Sequence, residues 1–123
     1  MASMSDFFTR EKANEGKKVF LTLPDGTPTE EYLIIRGIDS DQYQATHSEV
    51  MRKIFLKSDQ DKEYSEHEAK LDIWVSLVAN WSFEQECTPE NIKQLLREAP
   101  QIAKKIDVLS SNRNFFFKKE QNS

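Results

Sequence analysis

Residues 73–117, IWVSLVANWSFEQECTPENIKQLLREAPQIAKKIDVLSSNRNFFF, decide how this chain folds. The helix that leads into the stretch is announced by Ser65 and Glu68. A serine hydroxyl can take the backbone N–H three residues on, while the glutamate reaches back to the serine's own N–H. From Glu66 the spacing puts Ala69, Ile73, Trp74, Leu77, Val78 and Trp81 on one helical face, with Leu71, Val75 and Ala79 on another. Trp74 and Trp81 stand seven residues apart, two helical turns, and so are predicted to point the same way. Thr88-Pro89-Glu90 opens the next helix, because proline is tolerated at the first helical position and glutamate there complements the dipole. Ile92, Leu95, Leu96 and Ala99 form its inner face, and Pro100 ends it. A last helix carries Ile102, Ala103, Ile106 and Leu109 and meets Phe115-Phe116-Phe117. The predicted helix from Glu66 is apolar around most of its girth from Leu71 onward. It is therefore expected to be central to the fold or shared with a partner.

Working back toward the N-terminus, Val19, Leu21 and Leu23 alternate with Phe20 and Thr22, then Pro24-Asp25-Gly26-Thr27 supplies turn chemistry. Tyr32-Leu33-Ile34-Ile35 follows, closed by Gly37. Residues 18–37 thus read as a β-hairpin. Two strands alone are marginal, so the hairpin must pack on helices or pair across an edge. Residues 1–16 read as a flexible arm, or a short helix that docks through Phe7 and Phe8. Asp39 or Ser40 caps a helix reaching about Lys57, with Tyr43, His47, Val50, Met51, Ile54 and Phe55 on one stripe. Residues 58–64 read as a charged linker and 118–123 as a polar tail. The expected architecture is a single α+β domain over 1–123, mainly α. Its N-terminal β-hairpin packs on about four helices in a body spanning 39–117.

Composition narrows the function. A 123-residue chain supports one core, and eight phenylalanines argue for real packing. Its 17 basic and 21 acidic residues give a net charge of −4. The bases are scattered, so the sustained positive footprint that nucleic acid requires is missing and no nucleic-acid partner is expected. No apolar run approaches the ~18 residues of a membrane span, and the N-terminus lacks the pattern of a signal peptide. The expectation is a cytosolic protein with no membrane partner. Met1-Ala2-Ser3 ahead of Met4 has the form of a cloning scar. Cys87 is the lone cysteine, which excludes an internal disulfide.

Catalytic and metal chemistry finds little support. His47, His67 and Cys87 are the soft ligand types, in unrelated spacing, and Glu66-His67-Glu68 lacks the second histidine of a zinc-protease helix. Cys87 precedes a helix start, where a dipole can lower a thiol pKa, but no base accompanies it and it reads as a small hydrophobe. Asp59/Asp61 and Glu84/Glu86 read as solvated loop carboxylates. No catalytic residue, cofactor or metal is expected. Three adjacent phenylalanines cannot all face one core, so at least one is exposed or bound, and exposed aromatic clusters mark contact sites. The candidate partner or self-association residues are Trp74, Val75, Val78, Trp81, Phe115, Phe116 and Phe117. For the tryptophans a plain core role stands beside the interface role.

The C-terminal half resembles the tail assembly chaperones of long-tailed, lambda-like bacteriophages. The likeness is carried by residues 77–83 (LVANWSF), 86–92 (ECTPENI), 95–100 (LLREAP), Ile106-Asp107 and 112–115 (NRNF), a little over a third of the chain in consistent order. The resemblance implies a non-enzymatic chaperone of virion morphogenesis. It would coat the tape-measure protein in the host cytoplasm before the tail tube polymerises, self-associate into rings or spirals, and be missing from the mature virion. It further implies a longer form made by programmed frameshift that reaches the tail tube protein. Phe-Phe-Phe-Lys-Lys, codable by runs of U or A, is compatible with such a shift. A structural tail or head–tail connector component and a generic protein-binding adaptor are the alternatives.

Overall fold

A computed structural model describes residues 1–56 and 65–118 of the chain. The predicted linker 58–64, and the tail beyond Lys118, lie outside the described residues. In chain order come a 3-10 turn at Met4–Phe7, α1 at Arg10–Glu15, β1 at Lys17–Thr22, β2 at Pro28–Ile35 and α2 at Asp41–Phe55. They are followed by α3 at Glu66–Ser76, β3 at Val78–Trp81, α4 at Pro89–Glu98, α5 at Pro100–Ser110 and α6 at Arg113–Phe117. The fold is α+β and mainly helical, as the sequence implies.

The hairpin forms where turn chemistry places it. Leu23 and Thr27 close the loop through an N–H···O bond of 2.8 Å, and the Asp25 carboxylate accepts the Thr27 N–H at 2.9 Å. Gly26 takes φ +92°, which side chains resist. Strand alternation then sorts the faces: Val19 and Leu21 of β1 turn inward while Lys18, Phe20 and Thr22 are exposed. On β2, Leu33 and Ile35 are wholly enclosed. Full burial of each such side chain is worth about 1.5–3 kcal/mol.

The main departure from expectation lies at residues 77–81. The helix predicted to run through Trp81 ends at Ser76. Val78–Trp81 instead pairs antiparallel with β2 in the registers Leu33↔Trp81, Ile34↔Asn80 and Ile35↔Val78, giving a sheet ordered β1-β2-β3. Bonds from Arg36 N–H to Leu77 O (2.7 Å) and from Ser82 N–H to Tyr32 O (3.0 Å) bracket the pairing. The physical reason is the hairpin's need for a third strand. LVANW is apolar at both helical and strand periods, and β2 offered an unpaired edge to it. Trp74 and Trp81 therefore do not share a helix face.

Helix starts follow the sequence signals. Ser40, Ser65 and Thr88 each accept the N–H three residues on, from Tyr43, Glu68 and Asn91 respectively, all at 3.2 Å. Pro100 both ends α4 and begins α5, with Ala99 at non-helical angles (φ −132°, ψ 70°) between them. The core joins one face of the sheet to Leu71 and Leu77, to Ile92 and Leu96 of α4, and to Ala103 and Ile106 of α5.

Residues 1–16 also differ from the expected arm. Helix α1 docks by burying Ala13, not by Phe7 and Phe8, which stay exposed. Its seat is Gly37, whose N–H bonds Ala13 O at 3.2 Å. A Cβ on Gly37 would lie 3.0 Å from both Ala13 Cβ and Phe116 Cε2, so glycine lets α1 and α6 close over this point. Paired bonds from Arg10 to Asp41 and from Arg113 to Asp39 fasten the same two helices to the start of α2. Lys17 Nζ donates to Phe115 O (2.9 Å) and Lys118 O (2.6 Å), tying β1 to the end of α6.

Candidate docking surface

The residues singled out for partner contact mostly face inward. Val78 and Trp81 are buried on β3 and belong to the core, with Trp74, Val75 and Phe115 half-buried against it. The Trp81 indole N–H donates to Gln85 O at 2.7 Å, and its ring meets Phe83 edge-on at 5.2 Å. Trp74 Nε1 stands 3.5 Å from an Asp107 carboxylate oxygen, near the limit of a hydrogen bond. The phenylalanine triplet splits. Phe116 is buried beside Gly37, Phe115 packs on the core under Lys17, and Phe117 is exposed.

Unpartnered apolar surface lies elsewhere. On α2 the apolar stripe read from the sequence buries Val50 alone. Tyr43 stacks on His47 and packs against the core, but Met51, Ile54, Phe55 and Leu56 are exposed, Phe55 to 88% of its surface. These four form the end of α2, beside Arg52 and Lys53 in its last turn. Water-facing side chains this large at adjacent positions signal a contact surface more strongly than scattered ones. Sequence periodicity found the stripe but could not show that its far end stays exposed among the described residues.

A second feature sits across β3 and α4. Trp81, Phe83 and Leu95 floor a cavity of about 300 Å³, whose walls include Gln85, Asn91, Gln94 and Glu98. The 82–88 loop that shapes it is held by the Trp81–Gln85 bond and by Asn91 Nδ2 donating to Glu86 O at 2.8 Å. Glu84 and Glu86 project from this loop and are exposed, as is Glu98. The bases of α4 are turned away: Lys93 pairs with Asp72 at 3.1 Å and Arg97 with Glu68 at 3.4 Å, both on α3. Among the described residues, no cation is paired with Glu84, Glu86 or Glu98. The groove is apolar at its floor, Glu98 is the carboxylate that lines it, and Glu84 and Glu86 lie exposed on the neighbouring loop.

Cys87 lies half-buried beside this loop, and burial pushes its thiol pKa up, partly offset by the Arg36 guanidinium. Arg36 is itself held below the usual arginine value by burial. It donates to Ser76 O and Val78 O, leaving Nε enclosed without a partner. A thiol held protonated is a poor nucleophile. His67 is exposed in the first turn of α3. Among the described residues no three His, Cys, Asp or Glu side chains converge as a metal would need, and no helix is long and apolar enough to cross a membrane.

Beside the exposed Phe7, Phe8, Phe20 and Phe117, the described surface thus presents an apolar helix end on α2 and a groove floored by Trp81, Phe83 and Leu95. No protein-family model, curated protein or solved structure matches this chain.

Proposed function

We propose that this protein is a tail assembly chaperone of a long-tailed phage, which self-associates and coats the tape-measure protein during tail morphogenesis. The observation that carries the reading is the end of α2, where Met51, Ile54, Phe55 and Leu56 face solvent together within six residues, beside the separately exposed Phe7, Phe8, Phe20 and Phe117. A tape-measure protein is a long helical chain whose apolar stripe would aggregate if left uncovered. Helix-on-helix docking through anchors spaced like Met51, Ile54 and Phe55 suits such a chain. Many weak contacts repeated along one long partner give high avidity without any deep pocket, and release as the tail tube forms needs no chemical step. The reading places the protein in the host cytoplasm, outside the mature virion. A frameshifted longer form would bridge to the tail tube protein.

The test is to co-express the chain with its phage's tape-measure protein and follow the tape measure through ultracentrifugation. Several copies per tape-measure chain in the supernatant, with aggregation when the chain is withheld, is the expected result. A tape measure equally soluble alone, or stoichiometric recovery of this protein from purified virions, overturns the reading. The second outcome makes it a structural tail component.

A further inference from the structure

We infer that the outer edge of β1 pairs with β1 of a second copy, antiparallel and centred on Val19, so that two three-stranded sheets join into one. The identity of the partner strand rests on the reading of the chain as a self-associating chaperone. The open edge itself does not depend on that reading.

The sheet has two edges, and they are finished differently. Strand β3 is four residues long. The Asn80 side-chain oxygen accepts its Trp81 N–H at 2.9 Å, and Arg36 Nη1 donates to its Val78 carbonyl at 3.3 Å. Short length and side-chain caps close such an edge to further strands. Strand β1 runs six residues, and no described strand pairs with its other side. Alternation identifies the groups left there. Tyr32 spends its backbone on the β3 side, where its carbonyl accepts the Ser82 N–H and its own N–H donates to Ser82 Oγ. Leu33 and Ile35 therefore bond across to Val19 and Lys17. The N–H and C=O of Lys18 and Phe20 point outward, and no hydrogen bond among the described residues reaches them.

Lysines on an edge ordinarily keep other strands away. Here both are folded back onto their own molecule. Lys17 Nζ is held by Phe115 O and Lys118 O, and Lys18 Nζ lies 4.3 Å from the Tyr32 ring centroid and 5.9 Å from that of Phe20. Phe20, edge-on to Tyr32, stays 57% exposed in the middle of this edge.

An open edge accepts an extended chain with matching N–H and C=O groups, which a helix does not offer. Strand β1 supplies that match to itself. With Val19 facing Val19, Lys18 of each copy lies opposite Phe20 of the other, and each such pair exchanges two backbone bonds. Each lysine then meets a ring and not another lysine. Sliding the register toward the strand start sets Lys18 on Lys18, which like charge disfavours. Sliding it the other way draws in Thr22, beyond the irregularity between Phe20 and Thr22. A two-fold axis normal to the sheet leaves Val19 of both copies on the helix-covered face. It places Lys18, Phe20 and Tyr32 of both on the open face. The interface is isologous and closes at two copies, leaving each α2 end for a helical partner.

The test uses the full-length chain in sedimentation across concentration, together with residue-resolved amide exchange. The expected result is a monomer–dimer equilibrium in which the Lys18 and Phe20 amides exchange roughly tenfold or more slowly in the dimer than at dilution. Phe20→Lys sets lysine opposite lysine twice across the axis and should weaken dimerisation roughly tenfold. Adding Lys18→Glu to Phe20→Lys puts opposite charges at both pairs and should strengthen dimerisation again. Both positions are exposed, so the monomers of all three chains should melt alike. A parent that stays monomeric, a dimer whose Lys18 and Phe20 amides exchange as they do at dilution, or a double variant no stronger than Phe20→Lys overturns the inference. The readout needs no tape measure. A monomeric parent that still keeps the tape measure soluble refutes the shared sheet alone. A shared sheet without tape-measure protection refutes the chaperone reading alone.

Discussion

Helices α2 and α4 carry similar apolar stripes and meet opposite fates. Helix α4 buries Ile92 and Leu96 against the sheet and α5, and both of its bases pair with α3. Helix α2, half as long again, buries Val50 and then runs beyond its support, so that Met51 through Leu56 faces water. A helical stripe states that one side is apolar; it does not state what covers that side. In α4 the cover is the chain's own core. In α2 no described residue covers its far end, and that contrast marks the surface on which the proposed docking rests.

The contrast can be tested by substitutions in descending order of expected effect. Trp81→Ala removes a buried ring that also anchors the 82–88 loop, and should cost about 3–5 kcal/mol in denaturant unfolding. A smaller loss would mean that Trp81 serves contact more than core. Ile92→Ala on α4 should cost about 2–5 kcal/mol. Ile54→Ala on α2 should change monomer stability by no more than about 0.5 kcal/mol, while weakening association measured by light scattering. Equal losses at Ile54 and Ile92 would erase the distinction between the helices.

An acid titration supplies an intermediate effect that reports on the base of α2. Hydrogen bonds from Arg113 hold the Asp39 carboxyl below its usual value despite opposing desolvation. A carboxylate depressed in the folded state stabilises fully above its unfolded pKa of about 3.9, and that contribution is lost as pH falls through the lower folded value. Melting curves of Asp39→Asn should therefore lie below those of the parent at pH 7 and converge with them under strongly acidic conditions. A constant gap across this range would assign the loss to packing rather than charge.

Much of this fold was legible in the sequence, for local reasons. Pro24 to Thr27 specified the hairpin turn, and Ser40, Ser65 and Thr88 marked helix starts, because each acts on backbone groups within a few residues. Residues 77–81 were not legible. Val78 and Trp81 suit either period, and the deciding influence was the open edge of β2, more than forty residues earlier in the chain. The docking surface was missed for a related reason. Leu95 reads as an inner-face residue, and Glu84 and Glu86 as ordinary loop acids. Leu95 joins a groove, with the loop acids beside it, only once β3 brings Trp81 and Phe83 next to α4. Phe55 belonged to a stripe that periodicity marked only as apolar, and exposure is a property of neighbours that a single stripe does not contain.

The closure at Gly37 also constrains how the molecule is born. Ala13 emerges early from the ribosome, yet Phe116 and the Phe115 carbonyl that holds Lys17 arrive about a hundred residues later. At ordinary elongation rates that gap is several seconds or more, long compared with the microseconds in which a hairpin closes. Through that interval α1 and the hairpin wait without the contacts of α6, and the seat at Gly37 can close only once α6 has been made.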